Sequence, residues 1–215
     1  MTLTADSERL DALLNAALNL APFEGWSSAM LEKARLEAGV TPVELEMLAP
    51  RGVIDLVRAL ADRADRAMVA ALKQADIPTM KVRARIAFAI RTRLEGLADH
   101  KEAVRRSVYF LALPHNAADA AKIGWASADQ IWRALDDPST DFNWYTKRGI
   151  LAAVHAATLA RWLQDDSLDN SDTWAFLDAR IDNIMQFEKV KSKARAVTEK
   201  LPDITGLLAR LRYGR

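Results

Sequence analysis

Apolar side chains recur every three or four residues along almost the whole chain, which is the spacing of one face of an α-helix. Leu10, Leu13, Leu14, Ala17 and Leu18 form the first such stripe, and later segments repeat the pattern. No segment shows the strict alternation of apolar and polar residues that a half-buried strand requires. The pattern therefore predicts an all-α fold of about nine or ten helices.

Turn and cap residues divide this pattern into separate helices. Ser27 or Ser28 suits the N-cap of a second helix that stops near Gly39, and Thr41 followed by Pro42 has the form of an N-cap before a proline at the first helical position. The remaining predicted helices lie in the following segments: about Ser7 to Ala21, Gly52 to Leu72, about 81–97, about 102–113, and Pro114 to Leu135. A further helix follows residue 140 and ends at about Leu163, and the last one runs from Trp174 to Met185.

The composition of the 215-residue chain offers little material for a catalytic or metal site. Cysteine is absent, which excludes disulfides, thiolate ligands and a cysteine nucleophile. His100, His115 and His155 lack the spacing of metal ligands, so each is expected in a surface or core role. Neither a glycine-rich phosphate loop nor a nucleophile elbow is present. We therefore expect a protein that is not an enzyme and needs no cofactor.

The first three predicted helices have the order and turn of a helix-turn-helix unit. With the turn at residues 38–41, the stretch over about 9–72 resembles the DNA-binding domain of TetR-type repressors. A helix that reads DNA is positioned by basic side chains on phosphates. The third helix instead contains Glu44 and Glu46 and no basic residue, and residues 1–48 carry three basic and eight acidic side chains. We expect a TetR-like scaffold that does not bind nucleic acid.

Residues 120–188 resemble the ubiquinone-biosynthesis accessory proteins known as the ninth coenzyme Q protein, and the N-terminal unit extends the resemblance over most of the chain. The matching elements are Asp129, Ile131-Trp132, 139–142, 144–146, Arg148, Leu151, Thr158, Gln164-Asp165, Ser167, Thr173-Trp174, Phe176-Leu177 and Arg180. The chain departs from the usual family residues at Asp136-Asp137, Lys147, His155 and Leu159-Ala160.

The resemblance implies a TetR-like fold whose later helices hold an apolar pocket and a dimer interface. It implies a non-enzymatic protein that binds isoprenoid quinone intermediates or other lipids. Such a protein presents a polyprenyl quinone to demethoxyubiquinone hydroxylase, a di-iron enzyme, at the membrane surface. The alternative interpretation is a TetR-type transcriptional regulator with a small apolar effector.

Aromatic and basic residues concentrate at the start of the helix that follows residue 140. The resemblance implies that Asp141, Trp144 and Tyr145 contact the hydroxylase, and helical spacing places Arg148 on the same face, within reach of Asp141. Ile131 is a further candidate contact. Trp, Tyr and Arg are enriched at binding hot spots. The helical spacing alone is equally consistent with Trp144 and Tyr145 lying at the edge of the hydrophobic core.

Apolar positions in the middle helices are candidates for the lipid pocket, since ligand pockets are lined mainly by hydrophobic side chains. The candidates are Ile86, Ile90, Leu94, Val108, Leu111, Ile131 and Leu135. Each of them also fits an ordinary core position. The small residues Ala152, Ala153, Ala156 and Ala157 either leave room for a lipid chain or allow close packing of two helices.

The apolar stripe from Trp174 to Met185 predicts, with its neighbouring helix, a two-fold four-helix interface, so we expect a homodimer. We divide the chain into a helix-turn-helix-like unit over 1–75, a lipid-binding and dimerisation domain over 76–188, and a basic tail over 189–215.

The tail carries eight basic and two acidic side chains. A basic amphipathic helix is typical of elements that lie on a membrane surface. The candidate membrane contacts are Leu207, Leu208, Leu211, Arg210 and Arg212. A tail helix packed on its own domain is the alternative. The first ten residues show no targeting pattern, so we expect a cytoplasmic protein at the anionic inner face of a bacterial membrane.

Overall fold

The computed structural model describes residues 3–75, 77–137 and 142–198, and within these ranges it contains helices and no strand. The nine α-helices of these ranges are α1 (Leu3–Glu24), α2 (Ser28–Glu37), α3 (Pro42–Leu48), α4 (Val53–Gln74), α5 (Val82–Glu95), α6 (Lys101–Leu111), α7 (Ala117–Ala134), α8 (Phe142–Leu163) and α9 (Ser171–Thr198). The predicted all-α fold is confirmed.

The caps of α2 and α3 are formed by the residues that the sequence indicated. The hydroxyl of Ser27 accepts a hydrogen bond from the backbone N–H of Met30 at 3.1 Å. Thr41 and Glu44 form a capping box, in which each side chain accepts from the other residue's backbone N–H. Glu44 also lies 3.8 Å from Arg9. The carboxylate of Glu44 at the start of α3 is therefore part of the helix cap.

The N-terminal helices share one core with the rest of the chain. α1 packs on α2, α4 and α6, and α4 packs in turn on α5 and α7. Trp26 is 6% exposed, and its indole N–H donates to the carbonyl of Ala103 in α6 at 2.9 Å. The domain boundary expected after residue 75 therefore separates two helices, α4 and α5, that pack against each other.

Helices α4 to α9 build the larger part of the molecule. α7 packs on both α4 and α8, and α9 packs on α5 and α8. α6 makes a less extensive contact with α7 and α8 than these two make with each other, which leaves space between them. α9 continues to Thr198, so the separate tail expected from residue 189 begins inside this helix.

Candidate functional site

Three aromatic side chains from α7 and α8 form a cluster that we call the aromatic surface: Trp125, Trp144 and Tyr145. Trp144 and Tyr145 meet edge to face with ring centroids 4.8 Å apart, and the ring of Trp125 lies 5.7 Å from that of Trp144. Tyr145 is 62% exposed, and both tryptophans are partly buried. Sequence reasoning missed Trp125, because nothing local to α7 shows that it packs against the start of α8.

The aromatic surface lies on a buried arginine. Arg148 is 2% exposed, and its guanidinium carbon is 4.0 Å from the ring centroid of Trp144. Its Nε donates to the carboxylate of Asp129 at 2.5 Å, and its Nη1 is 3.7 Å from the carboxylate of Asp137. Lys147 also donates to Asp137, at 2.6 Å. Ion pairs directly below Trp144 therefore join α8 to α7 and to the residues that follow α7.

The predicted partner-binding residues divide into surface residues and buried residues. Trp144 and Tyr145 lie on the aromatic surface, whereas Arg148 and Ile131 lie beneath it, 2% and 0% exposed. A side chain without exposed surface cannot touch a partner, so the contact role expected for these two is corrected to one of support. Asp141 lies outside the described residues.

A cavity of about 340 Å³ lies between α4, α6, α7, α8 and the end of α5. Most of its lining is apolar. The larger apolar side chains are Val57, Leu60, Leu97, Val104, Val108, Leu111, Ile123 and Leu159. Ala112, Ala156 and Ala160 line the cavity and are also exposed to solvent, so it opens to the surface beside them.

Two of the seven predicted pocket residues, Val108 and Leu111, line this cavity. The other five belong to the hydrophobic core and do not line it: Ile86, Ile90, Leu94, Ile131 and Leu135, each at most 9% exposed. Their helices turn these side chains towards neighbouring helices, which a periodicity of apolar residues cannot reveal. Ala152 and Ala156 line the cavity, and Ala153 is exposed.

One wall of the cavity is polar. Arg93, Ser127 and His155, from α5, α7 and α8, line it and are each at most 6% exposed. Behind them, Asp65 accepts hydrogen bonds from Nε of Arg93 at 2.6 Å and from the hydroxyl of Ser127 at 2.9 Å. Arg93 also donates to Ser127 at 3.0 Å. Because the charges of Arg93 and Asp65 compensate each other, this wall is polar without a net charge.

His155 brings a ring nitrogen without a hydrogen-bond partner among the described residues to the polar wall. Burial holds the pKa of His155 well below its ordinary value, and the charge of Arg93 lowers it further. A guanidinium only donates, so Nε2 of the ring accepts from Nη1 of Arg93, 3.2 Å away, and the neutral ring carries its proton on Nδ1. Nδ1 forms no hydrogen bond with any described residue.

Two residues of the stripe predicted to form a dimer interface face the chain's own core. Leu177 and Ile181 are 2% and 4% exposed and belong to the chain's own core. Next to them, Arg83 of α5 forms an ion pair with Asp182 at 2.6 Å. These two apolar side chains are therefore unavailable to a second copy, and the homodimer stays a prediction.

The predicted membrane contacts lie outside the described residues: Leu207, Leu208, Leu211, Arg210 and Arg212. In the part of the chain that the structure describes, no helix has the length and apolar character needed to span a bilayer. Among the same residues, no group of three His, Asp or Glu side chains is placed to hold a metal ion. The arrangement combines an apolar enclosure, a neutral polar wall and an adjoining aromatic surface, all of which are features of binding sites.

Residues 117–188 match the family model described as COQ9. The family resemblance expected from the sequence is confirmed. The chain is 30% identical over 199 residues to the human ubiquinone biosynthesis protein COQ9, mitochondrial, an alignment covering 88% of this chain and 63% of that protein. It is 26% identical over 186 residues to the probable ubiquinone biosynthesis protein coq9 of Dictyostelium discoideum, covering 84% and 61%. The chain spans less than two thirds of the length of these COQ9 relatives.

The COQ9 match contains α7, α8 and the first part of α9, and with them the whole aromatic surface. A solved structure with the same fold is the TetR transcriptional regulator from Nitrosomonas europaea ATCC 19718. It matches with a TM-score of 0.66 at 21% identity, over 80% of this chain and 95% of that one. At this identity the likeness shows the fold alone, and it confirms the predicted TetR-like architecture.

Proposed function

We propose that this chain is a non-enzymatic lipid-binding accessory protein of ubiquinone biosynthesis. It would hold part of a polyprenyl quinone intermediate in the cavity and present it to the di-iron demethoxyubiquinone hydroxylase at the membrane surface. The observation that carries the proposal is the apolar cavity between α6 and the pair α7 and α8. The names of the COQ9 relatives support the pathway.

The position of the aromatic surface supports a hand-over between the cavity and a partner. On α7, Trp125 lies between Gly124 and Ser127, which line the cavity. On α8, Tyr145 lies about two turns before Ala152, another lining residue. A partner bound to the aromatic surface would therefore touch the two helices that enclose the ligand.

The proposal includes two features that are predictions from the sequence. One is a homodimer formed through α8 and α9. The other is attachment of the basic tail to an anionic membrane, with the protein at the inner face of a bacterial membrane.

A TetR-type transcriptional regulator with a small apolar effector is the second candidate, and the fold favours it. The surface of α3 opposes it. Glu44 is held in the capping box, and Val43 and Met47 are 67% and 60% exposed. An acidic and apolar helix face lacks the phosphate contacts that position a recognition helix on DNA.

Tyr145→Ala tests the partner-binding part of the proposal. Tyr145 is the exposed member of the aromatic surface and packs edge to face on Trp144, so its loss should weaken binding to purified demethoxyubiquinone hydroxylase at least tenfold, as hot-spot aromatics do. Binding is measured by surface plasmon resonance.

The matched control is Tyr109→Ala, since Tyr109 is 63% exposed on α6. This variant should bind like the unchanged protein. If Tyr145→Ala stays folded and binds the hydroxylase with unchanged affinity, the aromatic surface is not the docking site.

A further inference from the structure

Three buried polar side chains from three helices converge on one wall of an otherwise apolar cavity. They are Arg93, Ser127 and His155, and each is at most 6% exposed. Burying a polar group costs free energy unless it is hydrogen-bonded. The hydroxyl of Ser127 bonds to Asp65 and Arg93, and each guanidinium nitrogen of Arg93 makes one hydrogen bond, to Asp65, His155 or Ser127. The N–H at Nδ1 of His155 lacks an acceptor among the described residues, although its ring lines the cavity.

The charges around this wall define which ligand head group fits. Among the described residues, Arg93 is the one cation that lines it, and its guanidinium is already paired with Asp65 at 2.6 Å. An anionic head group would have to lose its hydration without gaining a free counter-charge, which is costly. A cationic head group would face the guanidinium directly. A neutral group with an acceptor oxygen has neither the desolvation cost of an anion nor the repulsion of a cation from Arg93. Its oxygen can also accept a hydrogen bond from the Nδ1–H of His155.

We propose that the cavity selects a neutral amphiphile with a carbonyl-bearing head group, whose oxygen accepts a hydrogen bond from Nδ1 of His155. A quinone with an alkyl or isoprenoid tail belongs to this class, whereas a fatty acid does not. The inference rests on the proposed function and names the head-group chemistry of the same site. His155 determines specificity, and Arg93 is a positioning residue that sets its tautomer.

The size of the cavity limits how much of the tail of such a ligand it can enclose. A volume of about 340 Å³ is near the lower end of the range of ligand sites, about 300–1,000 Å³. The head and the first part of the tail would fill it against Val104, Val108 and Leu111. A longer tail would leave beside Ala156 and Ala160, where the cavity reaches the surface.

The test compares two probes on the purified full chain by isothermal titration calorimetry: 2-decyl-1,4-benzoquinone and dodecanoate. The quinone should bind at least tenfold more tightly than the fatty acid. His155→Phe keeps a ring of similar size but removes the donor, so it should weaken quinone binding about tenfold and leave dodecanoate binding unchanged. His155→Gln, whose amide both accepts and donates, should restore most of the affinity.

His115→Phe is the matched control. His115 is exposed just before α7 and does not line the cavity, so the same substitution there should leave quinone affinity unchanged. A measurement that needs no variant is NMR of ¹⁵N-histidine-labelled protein, in which the Nδ1–H signal of His155 should shift with the quinone and not with dodecanoate.

The outcomes separate this inference from the proposed function. If dodecanoate binds as tightly as the quinone, or if the quinone moves no His155 signal and binds folded His155→Phe with unchanged affinity, the inference is overturned while lipid binding stands. If the unchanged protein binds neither probe, the proposed lipid-binding function fails and the inference fails with it. If quinone binding depends on His155 but the hydroxylase does not bind, the inference stands and the hand-over is overturned.

Discussion

Arg148 shows how one buried charge supports an exposed surface. Its guanidinium lies against the ring of Trp144 and donates to Asp129 at 2.5 Å. The other oxygen of the same carboxylate accepts from Arg133 at 2.6 Å, but the side chain of Arg133 is 68% exposed and that of Arg148 is 3% exposed. The two ion pairs share an acceptor and differ in hydration. Their contributions to stability should therefore differ strongly.

Arg148→Ala should lower the free energy of unfolding by about 3 kcal/mol, because it removes a buried guanidinium that packs on Trp144 and leaves the carboxylate of Asp129 with only the exposed Arg133. Arg133→Ala removes an exposed pair from the same Asp129 and should cost less than about 1 kcal/mol. Urea unfolding followed by circular dichroism measures both values. Equal losses in the two variants would contradict the role of Arg148 as the buried support of the aromatic surface.

At the scale of elements, the connection between α8 and α9 depends on Asp165. This side chain is 4% exposed and accepts hydrogen bonds from the backbone N–H groups of Ser167 at 2.9 Å and Thr173 at 2.8 Å, and from both hydroxyls. The N–H of Thr173 is one of the free donors at the start of α9. Asp165 therefore caps α9, while its neighbour Asp166 is exposed.

Asp165→Asn should lower the free energy of unfolding by about 2 kcal/mol at pH 7, because an amide cannot accept the same four hydrogen bonds. Burial alone would raise the pKa of Asp165, but the hydrogen bonds from Ser167 and Thr173 lower it below the ordinary carboxyl value. A carboxyl whose folded pKa is depressed contributes its full stability above about pH 5 and loses it as the pH falls. The difference between the two proteins should therefore narrow from pH 5 to pH 2.

Urea unfolding at several pH values gives this comparison, and Asp166→Asn is its control. That exposed neighbour should change the free energy of unfolding by less than about 0.5 kcal/mol at any of these pH values. A constant difference between Asp165→Asn and the unchanged protein would show that the hydrogen bonds do not depend on the ionised carboxylate.

At the scale of the whole molecule, the two ends of the chain carry opposite charge. Residues 1–48 have a net charge of −5, and residues 189–215 have a net charge of +6, although the whole chain is at +1. An anionic membrane would attract the second segment and repel the first. The charge distribution therefore favours an orientation in which the C-terminal end meets the membrane.

Deletion of residues 201–215 should weaken binding to vesicles that contain phosphatidylglycerol. The deletion removes the predicted apolar contacts and Arg210, Arg212 and Arg215, each worth about 1 kcal/mol near an anionic leaflet. Vesicle co-sedimentation at low salt measures the effect, and vesicles of phosphatidylcholine alone are the control. Unchanged binding to the anionic vesicles would show that the tail is not the membrane contact.

The sequence by itself determined the helical fold, the order of the helices and the caps of α2 and α3. These features follow from the spacing of apolar residues and from Ser27, Thr41 and Glu44, whose effects act within a few residues along the chain. The resemblance to the family also indicated Trp144 and Tyr145 before any contact was known.

Only the tertiary structure decided what these elements build together. It brought Trp125 to Trp144 and paired Asp129 with Arg148. It also decided which of the apolar side chains line the cavity and which belong to the core, although these side chains are chemically alike. It also placed His155 against Arg93, which sets the tautomer of the ring. The physical reason is the same in each case: the partners lie on different helices, and the direction in which a side chain points between packed helices has no signature in the local sequence.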